Sequence, residues 1–252
     1  MTKLLSRRMH GFTLIELAIA LVIIALLATG LMISMVAQRE SIAAAETQRQ
    51  LSEARDALLG FAAAHGRLPC PAAPAATGVE QPAGGGNCNN PWDGFLPALT
   101  LGLHPTDPNG YALDGWGNPL RYAVTTSSHA TCPNSCFTTT DGAKNAWNVG
   151  PGTLSPDLHV CSTSAGTTGG GANATCAPGT SLATNAVAVI FSRGANGGVV
   201  PTSDDEQANG NSDRLFVSHT PTATGANEFD DLVLWMSPNI LYNRLIVVGR
   251  LP

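Results

Sequence analysis

One carboxylate, Glu16, lies inside a long apolar segment near the N-terminus. Residues 12–37 are apolar or small at nearly every position, and Glu16 is the one charged residue among them. A carboxylate is expensive to place in an apolar environment unless a positive group pairs with it. Glu16 is therefore a candidate functional residue. The alternative is that it lies at the level of lipid headgroups and has no role.

The cysteines form the second set of residues with defined chemistry. All six follow the apolar segment, and an even number in an oxidising compartment indicates disulfides. We expect neighbours in the sequence to pair, as Cys70–Cys88, Cys132–Cys136 and Cys161–Cys176. The alternative is metal thiolates, because Cys132 and Cys136 have a zinc-like spacing, although no second pair or histidine doublet follows them.

The apolar segment itself predicts a membrane-spanning helix. It is longer than the roughly 20 apolar residues that a helix needs to cross a bilayer. Lys3, Arg7 and Arg8 precede it, which predicts a cytoplasmic N-terminus and a translocated C-terminal part. A secretory signal peptide is disfavoured because its apolar core is only about 7–15 residues long and a small-residue cleavage site follows that core. Here the small residue, Gly11, comes first.

The residues at the start of this segment resemble a known processing site. The sequence GFTLIE at residues 11–16, after a short basic leader, resembles that of type IV prepilins and type II secretion pseudopilins. The resemblance covers residues 1–37. It implies that prepilin peptidase, a membrane-embedded aspartyl enzyme, cuts between Gly11 and Phe12 and then methylates the amine of Phe12. It also implies that Glu16 pairs with the N-terminal amine of a neighbouring subunit during assembly.

The helical pattern continues beyond the apolar segment. Residues 38–65 contain no proline and are rich in helix formers, with apolar residues at helical spacing. Gly66 and Pro69 predict the end of the helix. The chain is thus expected to comprise a prepilin leader at 1–11, a transmembrane and filament-core helix at 12–37, an amphipathic helix at 38–65 and a globular domain at 66–252. The alternative is two helices with a flexible joint near Gly30 or Ala37.

A second stretch predicts the fold of the globular part. The sequence DGWGNPLRY at residues 114–122 predicts a tight turn followed by a strand, and it resembles the D-x-W-G-N-P-x-x-Y pattern of pseudopilins. We expect Trp116 to pack this turn against the helix and Asp114 to cap the loop. Further strands are expected at 186–192, 215–218 and 228–235, with a closing helix after Ser237. The resemblance implies an α+β pilin fold, in which the long helix packs on a small antiparallel β-sheet with disulfide-stapled loops.

An acidic loop near the C-terminal end is a candidate calcium site. Residues 192–197 resemble the S-x-G-A-D-G turn of pseudopilins, with Asn196 in place of the usual aspartate, and in that family the following acidic loop can hold calcium. Asp204, Asp205 and Asp213 are the candidate ligands here, because calcium takes six to eight oxygen ligands from flexible loops. The alternative is an acidic loop that is simply solvated.

Composition and motifs argue against several other classes of function. The net charge is −5 and only 12% of residues are charged, which disfavours nucleic-acid binding through a broad basic surface. Nucleophile elbows, phosphate-binding glycine loops and HExxH motifs are absent from the sequence, and its histidines are scattered. We therefore predict a protein that is the substrate of a peptidase rather than an enzyme, with no cofactor apart from the calcium candidate.

These inferences predict a structural subunit, a minor pilin or pseudopilin, of a type IV pilus or a type II secretion pseudopilus. It would cross the inner membrane once, with its C-terminal domain in the periplasm, before joining the filament. Its expected partners are prepilin peptidase, other pilin or pseudopilin subunits and the inner membrane. Residues 125–184, rich in Thr, Ser, Gly and Cys, favour the alternative of a tip-located adhesin or cargo-binding subunit. A plain single-pass membrane protein with a coincidental motif is the other alternative.

Overall fold

A computed structural model describes residues 13–74, 77–222 and 228–252, apart from the side chains of residues 28–37. The chain divides into two compact units, Met1–Ile42 and Ala43–Pro252. The helices are α1 (Leu14–His65), α2 (Ala98–Leu101), α3 (Gly142–Trp147), α4 (Asp204–Asn209) and α5 (Pro238–Val247). The strands are β1 (Gly94–Phe95), β2 (Arg121–Val124), β3 (Leu158–Cys161), β4 (Ser181–Ala186), β5 (Ala188–Ser192), β6 (Leu215–Val217) and β7 (Leu232–Met236).

The first unit contains the N-terminal part of α1. Its described large apolar side chains are exposed, from Leu14 at 88% to Ile23 at 52%. Within the described residues, no helix combines the length and the apolar character needed to cross a membrane. Of the predicted membrane segment 12–37, Phe12 and the side chains of residues 28–37 lie outside the described part of the chain.

The second unit is built on a four-stranded antiparallel sheet with the strand order β1-β2-β5-β7. Leu51, Ala54 and Leu58 of α1 recur at spacings of three and four residues, and this buried face of the helix packs in one core with the sheet residues Tyr122 and Ile190. The expected helix-on-sheet layering is therefore present in this unit, where burial of these apolar side chains supplies the main stabilising free energy.

A second, three-stranded sheet has the order β4-β3-β6, and β3 pairs with β6 in parallel. The expectation of a small antiparallel sheet thus holds for the first sheet, whereas the second is mixed. Its strand β3 and most of β4 come from the region 125–184, which is rich in Thr, Ser, Gly and Cys. Leu158 and Val160 are fully buried and pack with Phe191 of the first sheet, so this region contributes to a second core.

The three disulfides join cysteines that are neighbours in the sequence, Cys70–Cys88, Cys132–Cys136 and Cys161–Cys176. Cys70–Cys88 closes a loop between α1 and β1, and Cys161–Cys176 closes a loop that begins at the end of β3. In both regions regular secondary structure is scarce, so a covalent bond restricts a chain that few backbone hydrogen bonds hold.

The C-terminal end of α1 is fixed by glycine and arginine. Gly66 adopts φ +68°, a left-handed conformation that ends the helix, and its N–H donates to the carbonyl of Ala62 at 2.8 Å. The Arg250 guanidinium donates to the carbonyls of Ala63 and Ala64. A cation at a helix C-terminus interacts favourably with the helix dipole, so Arg250 stabilises this end of α1.

Candidate functional site

The turn at residues 114–119 is organised by the Asp114 carboxylate. Its Oδ1 accepts the N–H groups of Trp116 at 2.9 Å and Asn118 at 2.8 Å, and its Oδ2 accepts the Ser192 hydroxyl at 2.5 Å. Asp114 therefore caps the turn, as the sequence predicts, and also ties it to the end of β5.

The same turn contacts α1 through backbone atoms. The Gly115 N–H donates to Thr47 Oγ1 at 2.9 Å, and a Cβ on Gly115 would lie 2.2 Å from the carbonyl oxygen of Ala43. Only glycine permits so close an approach. Gly115 makes this backbone contact to the helix, and Trp116 beside it is half-buried.

The three predicted calcium ligands do not lie together in one cluster. Asp204 and Asp205 belong to the first turn of α4, where the Ser203 hydroxyl accepts the Glu206 N–H at 3.2 Å as an N-cap. Carboxylates are stabilised at a helix N-terminus, which explains a helix where a loop was expected. Asp205 accepts the Ser164 N–H at 2.5 Å and contacts His219 Nε2 at 3.2 Å, and Asp213 accepts the Leu215 N–H.

A different acidic group is brought together by the fold. Glu206, Asp230 and Asp231 offer one carboxylate oxygen each within 4.8 Å of one another. We call these three residues the acidic cluster. Glu206 is 2% exposed and Asp231 is 3% exposed. Among the described residues, no Lys, Arg or His forms an ion pair with any of the three carboxylates.

Neutral donors hold the acidic cluster in place. The Asn196 amide nitrogen donates to both oxygens of Glu206 at 3.1 Å, and the Asp230 N–H donates to the same carboxylate at 3.1 Å. Asn209 Nδ2 donates to Asp231 Oδ2 at 2.7 Å. Asp230 Oδ2 accepts two backbone N–H groups, while Asp230 Oδ1 is buried and has no hydrogen-bond partner among the described residues.

The electrostatics follow from this geometry. Burial, with Glu206 nearby, raises the pKa of Asp231 to about 7, and burial also raises the pKa of Asp230 to about 6. Two outcomes relieve such a cluster: protonation of a carboxyl, or a hard cation that takes oxygen ligands. The donor set contains oxygen only, and one of its carboxylate oxygens has no hydrogen-bond partner in the described part of the chain, so Glu206, Asp230 and Asp231 fit calcium in their chemistry.

The loop after α1 holds a buried carboxylate that, unlike the acidic cluster, is paired with a cationic side chain. Glu80 and Arg67 form a bidentate pair with both N–O distances at 2.7 Å, and their side chains are 9% and 6% exposed. Glu80 also accepts the N–H groups of Cys70 and Gly84 at 3.2 Å. Burial opposes ionisation of Glu80, but the hydrogen bonds and charge of Arg67 outweigh it and lower the pKa of Glu80.

Near the N-terminus, Thr13 and Glu16 form a capping box at the start of α1. The Thr13 N–H and hydroxyl donate to Glu16 Oε2 at 3.1 and 2.9 Å, and the Glu16 N–H donates back to Thr13 Oγ1 at 3.3 Å. This reciprocal pattern satisfies amide groups that a helix start leaves without partners. The carboxylate predicted to act in assembly is therefore exposed and bonded within its own chain.

The first turns of the helix that begins at this capping box present an apolar surface that only Glu16 interrupts. Residues 14–27 are all exposed and all apolar except Glu16. The predicted cleavage and methylation residues, Gly11 and Phe12, lie outside the described part of the chain. The geometry next to them thus combines a polar helix start with an apolar helix surface.

Comparison with known protein families identifies this region. Residues 6–36 match a family model described as the prokaryotic N-terminal methylation motif. The chain carries this methylation motif. The match includes Gly11, Phe12 and Glu16, and it supports the resemblance to type IV pilin-like proteins and pseudopilins. No protein of curated function and no solved structure shows a significant match to the chain.

Outside the methylation motif, the sequence pattern does not reveal the acidic cluster. Asp230 donates its N–H to Glu206 across 24 positions of sequence, and only the fold brings these residues together. One signal was present: Ser203 and Glu206 have the S-x-x-E spacing of a capping box, which would have predicted α4 and separated Glu206 from Asp204 and Asp205.

Proposed function

We propose that this protein is a structural subunit, a minor pilin or pseudopilin, of a type IV pilus or type II secretion pseudopilus. The methylation motif at residues 6–36 is the observation that carries the proposal. The leader 1–11 is removed by prepilin peptidase, Phe12 becomes the methylated N-terminus, and the exposed apolar surface of α1 packs among other subunits. An apolar surface of this extent is unstable in water, which supports burial in a membrane or filament.

The same proposal assigns the protein's location. It is held in the inner membrane by residues 12–37, with the leader in the cytoplasm and residues 66–252 in the periplasm, until it is extracted into a filament. The basic leader supports this orientation, and the three disulfides support an oxidising compartment. The protein acts through assembly rather than through catalysis.

Intact-mass measurement and N-terminal sequencing test the processing step. Full-length protein expressed with prepilin peptidase should begin at Phe12 and carry the mass of one added methyl group. Gly11→Leu is the matched variant, because a bulky residue blocks the cut while the apolar helix stays unchanged. Mature wild-type protein that retains residues 1–11 in the presence of active peptidase would refute the proposal and favour a plain membrane-anchored protein.

Glu16→Ala tests the assembly step separately. We expect the variant to be cut and methylated nearly as well as wild type but to be largely missing from sheared filaments, because its apolar helix lacks the carboxylate that pairs with a neighbouring amine. Glu53→Ala, which removes another glutamate of α1, is the control. Normal incorporation of Glu16→Ala would remove Glu16 from the assembly role.

A second candidate role is a tip-located adhesin or cargo-binding subunit. The observation in its favour is a polar groove of about 560 Å³ between the disulfide-closed loop at 163–167 and α4, lined by Ser164, Asp204 and Gln207 among others. Immunogold labelling distinguishes the roles. Label confined to filament tips favours the specialised subunit, and label along the shaft favours a bulk subunit.

Calcium binding at the acidic cluster is part of the proposal as well. Calcium would be held by Glu206, Asp230 and Asp231, whereas the sequence assigned it to Asp204, Asp205 and Asp213. Thermal unfolding with calcium or with a chelator tests the idea, and the Asp231→Asn and Asp213→Asn variants separate the two sets of ligands. An equal melting temperature with calcium and with the chelator would remove calcium from the proposal.

A further inference from the structure

Two asparagine side chains hold the acidic cluster, and each is followed in the sequence by glycine. Asn196 donates to both oxygens of Glu206 at 3.1 Å, and Asn209 donates to Asp231 at 2.7 Å. Asparagine is a chemically labile residue, and a following glycine makes it most labile, because no side chain hinders attack of the next backbone nitrogen on the side-chain amide. The amides that hold the cluster therefore stand where their nitrogen can be lost.

The fold protects one of these two asparagines and leaves the other accessible. Asn209 is 1% exposed, its Oδ1 accepts the Val217 N–H at 2.7 Å, and its Nδ2 also donates to the Val217 carbonyl at 3.0 Å. Its side chain cannot rotate without breaking a buried network. Asn196 is half-buried on the turn after β5, and among the described residues no hydrogen bond holds its Oδ1.

The backbone nitrogen that would attack Asn196 is also accessible. Gly197 is half-buried, and its N–H donates to the Gly194 carbonyl at 3.3 Å, which is longer than a typical N–H···O bond. Opening this turn breaks that bond and the two bonds from Asn196 to Glu206, while β5 stays paired with its neighbours. A local opening of this kind requires much less free energy than global unfolding, so the reaction is open to the folded protein.

We propose that Asn196–Gly197 is a site of spontaneous deamidation, which adds a fourth carboxylate to the acidic cluster. The Gly197 nitrogen gives its proton to solvent and bonds to Asn196 Cγ, and the Cγ–Nδ2 bond breaks as Nδ2 takes a proton from solvent and leaves as ammonia. Water then opens the cyclic imide at either carbonyl and leaves aspartate or isoaspartate. In sum, water is consumed and ammonia is released, and nothing is oxidised or reduced.

The product changes what the acidic cluster requires. A carboxylate at position 196 replaces a donor to Glu206 with a like charge, so stability in a chelator falls. It also adds oxygen ligands of the kind that calcium takes, so the affinity for calcium should rise by at least about tenfold. This second effect rests on the calcium site of the proposed function. Because the ammonia is lost, older molecules depend more on calcium than newly made ones.

Heavy-oxygen labelling tests the reaction in full-length, disulfide-bonded protein in detergent micelles. The protein is kept at mildly alkaline pH in water enriched in heavy oxygen, and peptide mapping by mass spectrometry locates each new carboxyl group. We expect the label at position 196 and not at Asn209. Asn196→Gln, whose longer side chain closes the ring poorly, should contain no label there. An Asn196 that stays an amide in the folded protein, while the excised peptide deamidates, would overturn the proposal.

Melting temperatures test the consequence, with Asn196→Asp as the reference. In a chelator, aged protein should melt below fresh protein, shifted towards the value for Asn196→Asp, and calcium should raise its melting temperature more than that of fresh protein. Aged protein that is deamidated at position 196 but melts like fresh protein in both conditions would overturn the link to the cluster. If fresh protein does not respond to calcium, the calcium site fails, whereas label at position 196 with a lower melting temperature in chelator still supports deamidation.

Discussion

Glu80 and Asp231 are both buried carboxylates, but their surroundings are opposite. Glu80 has a bidentate arginine and two backbone N–H donors, and its pKa is lowered. Asp231 has one amide donor and two acidic neighbours, and its pKa is raised to about 7. The first region resolves its buried charge internally. In the second region a proton or a cation from solution compensates the charge, so pH changes its stability with the opposite sign to that of the first region and a cation should act on it alone.

The largest effect is expected for Glu80→Ala. Removal of one partner from a buried ion pair leaves the Arg67 guanidinium without its counter-charge, which costs about 3–5 kcal/mol of unfolding free energy. Urea denaturation of the disulfide-bonded protein measures the change. Glu53→Ala, which breaks an exposed pair with Arg49, is the control and should be near wild type. If Glu80→Ala lowers the unfolding free energy as little as Glu53→Ala does, the Arg67–Glu80 pair contributes little to stability.

The pH dependence of stability should have opposite signs in the two regions. The raised pKa values of Asp230 and Asp231 contribute stability at low pH, and this contribution is lost as pH rises from about 4 to about 7. The lowered pKa of Glu80 contributes stability above about pH 4.3, and this contribution is lost as pH falls. In a chelator we therefore expect unfolding free energy to fall between about pH 4.5 and about pH 7.

Calcium should reverse the part of the fall in unfolding free energy with rising pH that the acidic cluster causes, because a bound cation favours the ionised carboxylates. Unfolding free energies at three pH values, with and without calcium, measure the difference. A pH profile that calcium leaves unchanged would show that protonation, and not a cation, relieves the cluster.

Asp231→Asn should stabilise the protein at about pH 8 in a chelator by about 1–3 kcal/mol, because it removes a buried charge and keeps an oxygen for Asn209. At about pH 4 the gain should disappear, since Asp231 is then protonated in the wild type. Asp204→Asn, at an exposed position of α4, is the matched control and should change little at either pH. An equal gain for both variants would point to net charge rather than to the cluster.

The smallest effect is expected for Asn196→Asp. This change introduces the aspartate that is usual in the pseudopilin turn that residues 192–197 resemble. It replaces the amide that donates to Glu206 with a fourth carboxylate, so we expect a loss of about 1–2 kcal/mol in a chelator. With calcium the loss should shrink, since the added oxygens become ligands. Titration with calcium, followed by melting temperature, checks this. Equal destabilisation in both conditions would argue that Asn196 serves packing alone.

The elements that the sequence predicts well are those with local signals. Gly66 marks the end of α1, Ser237 and Pro238 mark the start of α5, and the apolar run near 186–192 contains β5. The methylation motif is local as well, and the family comparison supports it. In each case, neighbouring residues determine the feature through backbone conformation or through short-range hydrogen bonds.

The features that the sequence did not predict depend on distant contacts. The second sheet pairs Cys161 with Val217, and the region that contains β3 has few apolar residues to indicate a core. The acidic cluster likewise requires α4 and the segment before β7 to meet. Burial and pKa values arise only after such contacts form, so local patterns could identify the acidic residues but not their grouping.

The close approach of Gly115 to Ala43 limits which sequences can share this fold. A side chain at position 115 would overlap the backbone of α1, and the Gly115 N–H also needs the hydroxyl of Thr47. Relatives too divergent for overall alignment should therefore keep glycine in the turn and a hydroxyl residue on the helix. Covariation between these two positions would identify such relatives when the N-terminal motif alone is too short to do so.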